Sequence, residues 1–279
     1  MQPRTLGVIG LGAIGGSLAR QAKQAGVSRV LGWSPDPSER AAALRAGALD
    51  DAPAAPAGVA EHAELLVLAA PPAANLSLLA TLHARVPPQG FITDVGSVKR
   101  AIVARAEALG LTRFAGSHPL AGTHARGFGA SRADLFRGAV VYVTPTSDGQ
   151  AAAQFVTRFW EQICGARTVT VSAEAHDAEI ALTSHLPQVV ASLLGGYLAA
   201  HATSRTPFGP GARDTTRLAA SEPALWTEIL LMNRDEVVPL LRALEEPLAD
   251  LARALEQGDA PRVLEWFRAP AEWRRGLEQ

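Results

Sequence analysis

The chain has 279 residues, 48% hydrophobic and 19% charged, with a formal net charge of −1 and a single cysteine, Cys164. That balance suits a soluble globular protein with a sizeable core in one or two domains, and argues against nucleic acid or an anionic membrane surface as partner. No apolar run reaches the ~20 residues of a membrane span, the N-terminus enters a strand-like run with no signal peptide, and one cysteine excludes an intrachain disulfide or a cysteine-cluster metal site; the expectations are a cytoplasmic location and no metal.

TLGVIG (5–10) reads as a first strand, and AIGGSLARQAKQAG as the helix after it. SRVLGW (28–33) is a second strand, followed by a helix, SERAAALRAG, that Gly47 ends. DDAPAAPAGVA is a surface connection. ELLVLAA (64–70) is an unbroken apolar run, as expected of a strand buried on both faces. GFITDVG (90–96), RFAGS and AVVYVTP continue the series, and ARTVTV (166–171) adds a last strand. Strand and helix in alternation imply a mainly parallel, doubly wound sheet. After Val171 the pattern changes. SAEAHDAEIALTSHLPQVVASLLGGYLAAHA is helical in period, with Ser172 as N-cap and Pro187 as a kink. The stretch 221–258 reads as one long helical run, capped by Ser221, with Pro223 in its first turn and Gly258 at its end. The expected architecture is α/β: a Rossmann-like, dinucleotide-binding domain over 1–171, then an all-helical domain over 172–279.

The first turn carries Gly10-x-Gly12-x-x-Gly15 between strand and helix. Gly10 permits the tight turn, Gly12 lets backbone approach a pyrophosphate, and Gly15 lets helix and strand pack closely. Gly10, Leu11, Gly12, Ala13, Ile14 and Gly15 are therefore expected against a dinucleotide. Roughly 20 residues on, a carboxylate would bind the ribose of NAD. That place holds Ser34, with Asp36 two further and Arg40 the nearest arginine. NAD is the expected cofactor, with NADP tolerated.

Ligands of an open parallel sheet bind beyond the carboxyl ends of its strands. Those ends offer the glycine turn, Pro71, Gly96-Ser97 with Lys99 nearby, and Ser117-His118. Ser97 reads either as an N-cap of the next helix or as a site hydroxyl. His118 reads either as a backbone-bonded loop histidine or as an imidazole in the cleft; its place at a strand end favours the cleft, and Pro119 holds its backbone extended. Only Lys23 and Lys99 are lysine; every other basic residue is arginine, which draws notice to Lys99.

The segments GLGAIGGSLA, TDVGSVK, GSHPLAGT, TSHLPQVV and RDTTRLAASEPALW, in this order, resemble those of the prephenate and arogenate dehydrogenases of tyrosine biosynthesis, as far as about Asn233. The resemblance implies oxidative decarboxylation of prephenate to 4-hydroxyphenylpyruvate with hydride transfer to NAD(P), and a helical domain that binds substrate and forms a homodimer. It implies that His118 bonds the substrate's 4-hydroxyl and that Ser97 orients both. It makes Arg217 a carboxylate anchor, a task its planar fork suits. It sets His185 near the substrate side chain, and Thr123 and His124 beside the substrate. His124 departs from the family pattern, since many members carry glutamate there. Arg213 reads as structural or exposed, and Trp226, at helical spacing with Leu225 and Ile229, as core or ligand wall. Rival readings are an arogenate dehydrogenase and a non-catalytic dinucleotide sensor. A β-hydroxyacid dehydrogenase would rely on a lysine in its helical domain, and no lysine follows Lys99.

Overall fold

The computed structural model describes residues 2–122, 126–203 and 207–276. Thr123 and His124 lie outside the described residues. The chain opens with β1 (Thr5–Ile9), α1 (Ala13–Gln24), β2 (Arg29–Trp33), α2 (Pro37–Arg45), α3 (Pro56–Ala60), β3 (Leu65–Leu68), α4 (Pro72–Leu82), β4 (Phe91–Asp94) and α5 (Arg100–Ala108). It continues with β5 (Ala115–Pro119), β6 (Val140–Pro145), α6 (Gln150–Gln162) and β7 (Arg167–Thr170). Every residue of β3 is buried, which is why its sequence is an uninterrupted apolar run rather than an alternating one.

β2, β1, β3 and β4 pair side by side, all parallel, with Val8 opposite both Gly32 and Val67. A bridge between Ile92 and Phe114 brings β5 alongside β4 in the same direction. The series then reverses: β6 runs antiparallel to β5, with His118 opposite Tyr142, and β7 is parallel to β6. The stretch AVVYVTP is thus a return strand. Among the described residues no α-helix lies between β5 and β6; they include a 3₁₀ turn, Phe128–Ala130, and the antiparallel pairing means the chain re-enters the sheet from the end at which it left. The carboxyl ends of β1, β3, β4 and β5 therefore share one edge. Trp160 of α6 closes the sheet from behind: its Nε1 donates to Ser117 Oγ (2.9 Å), and that hydroxyl pairs with Thr93 Oγ1 (2.7 Å), pinning β5 to β4.

Beyond Thr170 the described residues form helices and no strand: α7 (Ala173–Ile180), a π turn (Ala181–His185), α8 (Leu186–His201), α9 (Pro210–Thr216), a 3₁₀ turn (Arg217–Ala220), α10 (Pro223–Met232), α11 (Arg234–Ala243), α12 (Glu245–Glu256) and α13 (Ala260–Gly276). Ser172 caps α7 through the N–H of Ala175, as expected. At Pro187 the helix carries a π turn just upstream: the proline has no N–H for the preceding ladder, and the wider turn absorbs the mismatch. The long helix expected over 221–258 is three. It breaks at Asn233, whose amide turns inward to donate to the Asp177 carbonyl (2.8 Å), and again at Leu244. Its cap is Glu222, which accepts from the Ala224 N–H, rather than Ser221, whose hydroxyl donates to Gln188 Oε1 (3.3 Å). Gly258, at φ +66°, ends α12 as expected. No helix among the described residues is long and apolar enough to cross a membrane.

Candidate active site

The first part of the site is the glycine turn between β1 and α1. Gly10 has φ +98°, and a Cβ there would lie 2.5 Å from the Ala69 carbonyl oxygen. A Cβ on Gly15 would lie 1.8 Å from the Gly10 carbonyl oxygen. These two glycines serve packing. A Cβ on Gly12 would meet nothing within 4 Å. Gly12 is the N-cap of α1, and no side chain caps this helix, so the first-turn N–H groups present a ready anion site. Two cavities meet here. One, of about 530 Å³, is lined by Gly10, Leu11, Gly12, Trp33, Ser34, Glu39 and Pro71 among others. The second, of about 480 Å³, is lined by Gly12, Ala13, Ile14, Pro71, Ser97 and, from the helical part, Glu222 and Trp226. An extended ligand crossing the glycine turn would occupy both, and the open face at Gly12 fits a pyrophosphate.

His118 supplies the second part. It stands within β5 rather than in a loop after it, and is 8% exposed. Its Nδ1 lies 2.9 Å from Nε2 of His176, and His176 Nδ1 lies 2.7 Å from Asp177 Oδ1. The Asp177 carboxylate also accepts from the N–H groups of Lys99 (2.7 Å) and Arg100 (2.9 Å). It thus caps α5 from another helix, and Ser97 is not that cap.

This chain fixes the tautomers. An ionised Asp177 only accepts, so His176 Nδ1 carries a proton. Neutral His176 then offers the Nε2 lone pair, so His118 Nδ1 is the donor to it. The Nε2 of His118 is left as a lone pair. Burial, helped by the neighbouring His176, Lys99 and His185, holds His118 well below the usual imidazole range and so neutral. Burial also lowers His176, while the hydrogen bond to His176 and the two backbone N–H groups outweigh burial and hold Asp177 below the ordinary carboxylate range.

Lys99 is fully buried and paired with Asp94 at the end of β4; Asp94 Oδ2 also accepts from the Gly96 N–H (2.8 Å). Burial drives Asp94 up and Lys99 down, against their mutual attraction. The pair locks the turn that presents Ser97. A slim four-carbon stem ending in a point charge fits this dry slot, where a planar guanidinium would need more room.

His185 is the last residue of the π turn and is fully buried. Asn233 Nδ2 approaches its Nδ1 at 3.1 Å, so Nδ1 accepts and Nε2 carries the hydrogen. That buried Nε2 has no hydrogen-bond partner. Burial lowers the His185 pKa to about 4. Trp226 meets its ring edge-on, with centroids 5.8 Å apart, and lines the smaller cavity rather than a sealed core. Arg217 begins the 3₁₀ turn with an exposed side chain; Arg213 is exposed, as expected. Gln188 of α8 ties Arg217's turn to the helix that follows His185, donating to the Leu218 carbonyl (2.8 Å). Arg126, from the β5–β6 loop, forms an ion pair with Glu222 across the smaller cavity.

Sequence reasoning missed His176, Asp177 and Asn233. A signal for two of them was present: Ala173, His176, Asp177 and Ile180 share the 3–4 spacing of one helix face, and that face is buried.

The family model for the nucleotide-binding domain of prephenate dehydrogenase matches residues 18–170, and that for its dimerization domain matches 172–269. The chain belongs to the prephenate dehydrogenase family. The matched span starts after the glycine turn, so that turn is a separate observation. Among curated relatives, this family member is 33% identical over 284 residues to prephenate dehydrogenase of Bacillus subtilis, covering 98% of this chain and 76% of that protein. It is 36% identical over 286 residues to cyclohexadienyl dehydrogenase of Zymomonas mobilis, covering 98% and 96%. Among solved structures, prephenate dehydrogenase from A. aeolicus in complex with hydroxyphenyl propionate and NAD+ superposes with a TM-score of 0.90 at 27% identity, covering 99% of this chain and 98% of that one.

Proposed function

We propose that this family member is an NAD-dependent prephenate dehydrogenase. It converts prephenate to 4-hydroxyphenylpyruvate and carbon dioxide. The observation that carries this reading is the Asp177–His176–His118 chain, which leaves His118 Nε2 as a proton acceptor on a strand whose carboxyl end shares the sheet edge of the glycine turn. A dinucleotide sensor needs the cradle but not a neutral, oriented imidazole beside it.

Gly10, Leu11, Gly12, Ala13, Ile14, Gly15, Ser34 and Pro71 would hold NAD, which when bound supplies the hydride acceptor. His118 Nε2 takes the proton of the substrate's 4-hydroxyl as hydride leaves the same carbon. Carbon dioxide departs, the ring becomes aromatic, and His118 returns the proton to the phenol oxygen. Aromatisation drives the step, so the protein's main work is orientation and proton placement. Ser97 orients the hydroxyl. Arg217 anchors a carboxylate, and Thr123 and His124 contact the substrate.

His185 Nε2–H is a fixed donor. It suits the keto oxygen of prephenate and not the ammonium of arogenate. Glu222, a carboxylate on the cavity wall, is already paired with Arg126. The same reading takes 1–171 as the dinucleotide-binding domain and 172–279 as the substrate and dimerisation domain of a cytoplasmic homodimer. The match to a dimerization-domain family supports the dimer.

The test is turnover of prephenate and of arogenate with NAD, followed by absorbance of the reduced cofactor. The expected result is a higher kcat/KM for prephenate by at least about tenfold, or about 1.4 kcal/mol. Equal or better use of arogenate overturns the substrate assignment. Tight NAD binding with no turnover of either leaves the sensor.

A further inference from the structure

We propose that Glu39 sets the choice of dinucleotide and selects against the 2′-phosphate of NADP. The inference rests on the reading that the cleft binds a dinucleotide. Ser34 directly follows β2, at the place where a carboxylate is customary. The carboxylate arrives from elsewhere. Asp36 caps α2, Pro37 starts it, and the first turn brings Glu39 back over the strand end. There the Ser34 hydroxyl donates to Glu39 Oε2 at 2.6 Å. Ser34 and Glu39 both line the 530 Å³ cavity, beside Trp33 and the glycine turn.

The neighbouring groups are engaged in ways that favour this assignment. The Ser34 hydroxyl hydrogen is held by Glu39, and its oxygen accepts from the Asp36 N–H (3.3 Å), so it is not set to donate to a phosphate. Asp36 uses its carboxylate on the Ser38 N–H (2.7 Å). Arg40, the cation that would welcome a 2′-phosphate, donates to the Ser34 carbonyl and is not among the residues lining the cavity. The wall facing the glycine turn therefore presents a carboxylate. The ribose hydroxyls of NAD can donate to it. A 2′-phosphate carries nearly two negative charges, has only acceptors, and meets like charge.

Isothermal titration calorimetry of the full chain with NAD and with NADP tests the proposal. The wild-type protein is expected to bind NAD at least about tenfold more tightly than NADP, with the gap narrowing as salt rises and screens the repulsion. Glu39→Gln, which keeps size and removes charge, should close the gap by about tenfold through tighter NADP binding. Equal wild-type affinities, a gap insensitive to salt, or a Glu39→Gln protein with an unchanged ratio each overturns the assignment. If Glu39→Gln fails to fold, the wild-type ratio and its salt dependence decide. If neither dinucleotide binds, the reading of the cleft falls with it; if both bind equally, only the role of Glu39 falls.

Discussion

At the scale of single residues, the site is a problem in where protons sit. His118 can act as a base only if its Nε2 lone pair is free, and the hydrogen-bond chain through His176 to Asp177 keeps it so. His118→Asn cannot take up the proton and should lower kcat by about 10²–10⁴-fold, the usual span for a lost general base. Because burial holds His118 below the ordinary value of about 6.5, the acid limb of kcat/KM should lie below that pH. His176 is a positioning residue. His176→Asn should lower kcat by about tenfold or more, short of the roughly 10⁴-fold cost of a triad that loses its orienting carboxylate. It should also shift the acid limb, because His176 is the hydrogen-bond partner of His118 Nδ1. A pH–rate profile checks this: damage to packing alone would reduce kcat and leave the limb in place. His118 was legible from sequence because a strand end and a following proline mark it. His176 was not, because a histidine inside a helical pattern gives no sign of which residue of another strand it will meet.

At the scale of elements, α7, the π turn and α8 form one continuous rod that carries His176, Asp177 and His185. Three buried histidines, at 118, 176 and 185, have lowered pKa values, His185 to about 4. In the unfolded chain they would titrate near 6.5. Between that pH and their folded values the unfolded state binds more protons, so stability is full above about 6.5 and falls as pH falls, by up to about 1.4 kcal/mol per pH unit for each group. Urea unfolding at pH 7, 6 and 5 should show the midpoint dropping steeply over this interval, and His185→Gln should flatten it by one proton's worth. A midpoint constant from pH 7 to 5 contradicts the account. Element types were largely legible, since periods of two and 3.6 in the hydrophobic pattern are local properties. The direction of β6 was not, because pairing direction depends on where the connecting loop leads rather than on the strand's own residues. Nor were the breaks at Asn233 and Leu244: the apolar period runs through both, and what stops the helix at Asn233 is a tertiary bond to the Asp177 carbonyl.

At the scale of the molecule, the helical part leaves its apolar surface uncovered. The large exposed hydrophobics cluster after residue 171 and include Leu182, Leu193, Tyr197, Leu248, Leu264 and Trp273. α8 is the plainest case. Its sequence is apolar almost all round, a pattern that belongs in an interior, yet only Gln188 and Ala191 are buried. Leu193 is 72% exposed and Tyr197 63%. Val190, Leu193 and Tyr197 stand at i, i+3 and i+7, one stripe. Gly196 adjoins that stripe, and a Cβ added there would meet nothing within 4 Å, so a second helix could approach closely. A partner copy laid along this stripe would bury it in an interface of ordinary size, about 1,600 Å². Leu193→Glu puts a charge at the middle of the stripe, at a side chain that is 72% exposed. Light scattering at micromolar concentration should show a dimer for the wild-type chain and a monomer for Leu193→Glu. The kinetic consequence follows from how α8 is built. It begins right after His185, and its Gln188 holds the turn that carries Arg217. A monomer with a loosened α8 should show a raised KM for prephenate, while its Kd for NAD, set by the glycine turn, stays within a factor of about two. A wild-type chain that is monomeric at all concentrations, or a Leu193→Glu monomer with unchanged KM, would break the link between the apolar stripe and the substrate site.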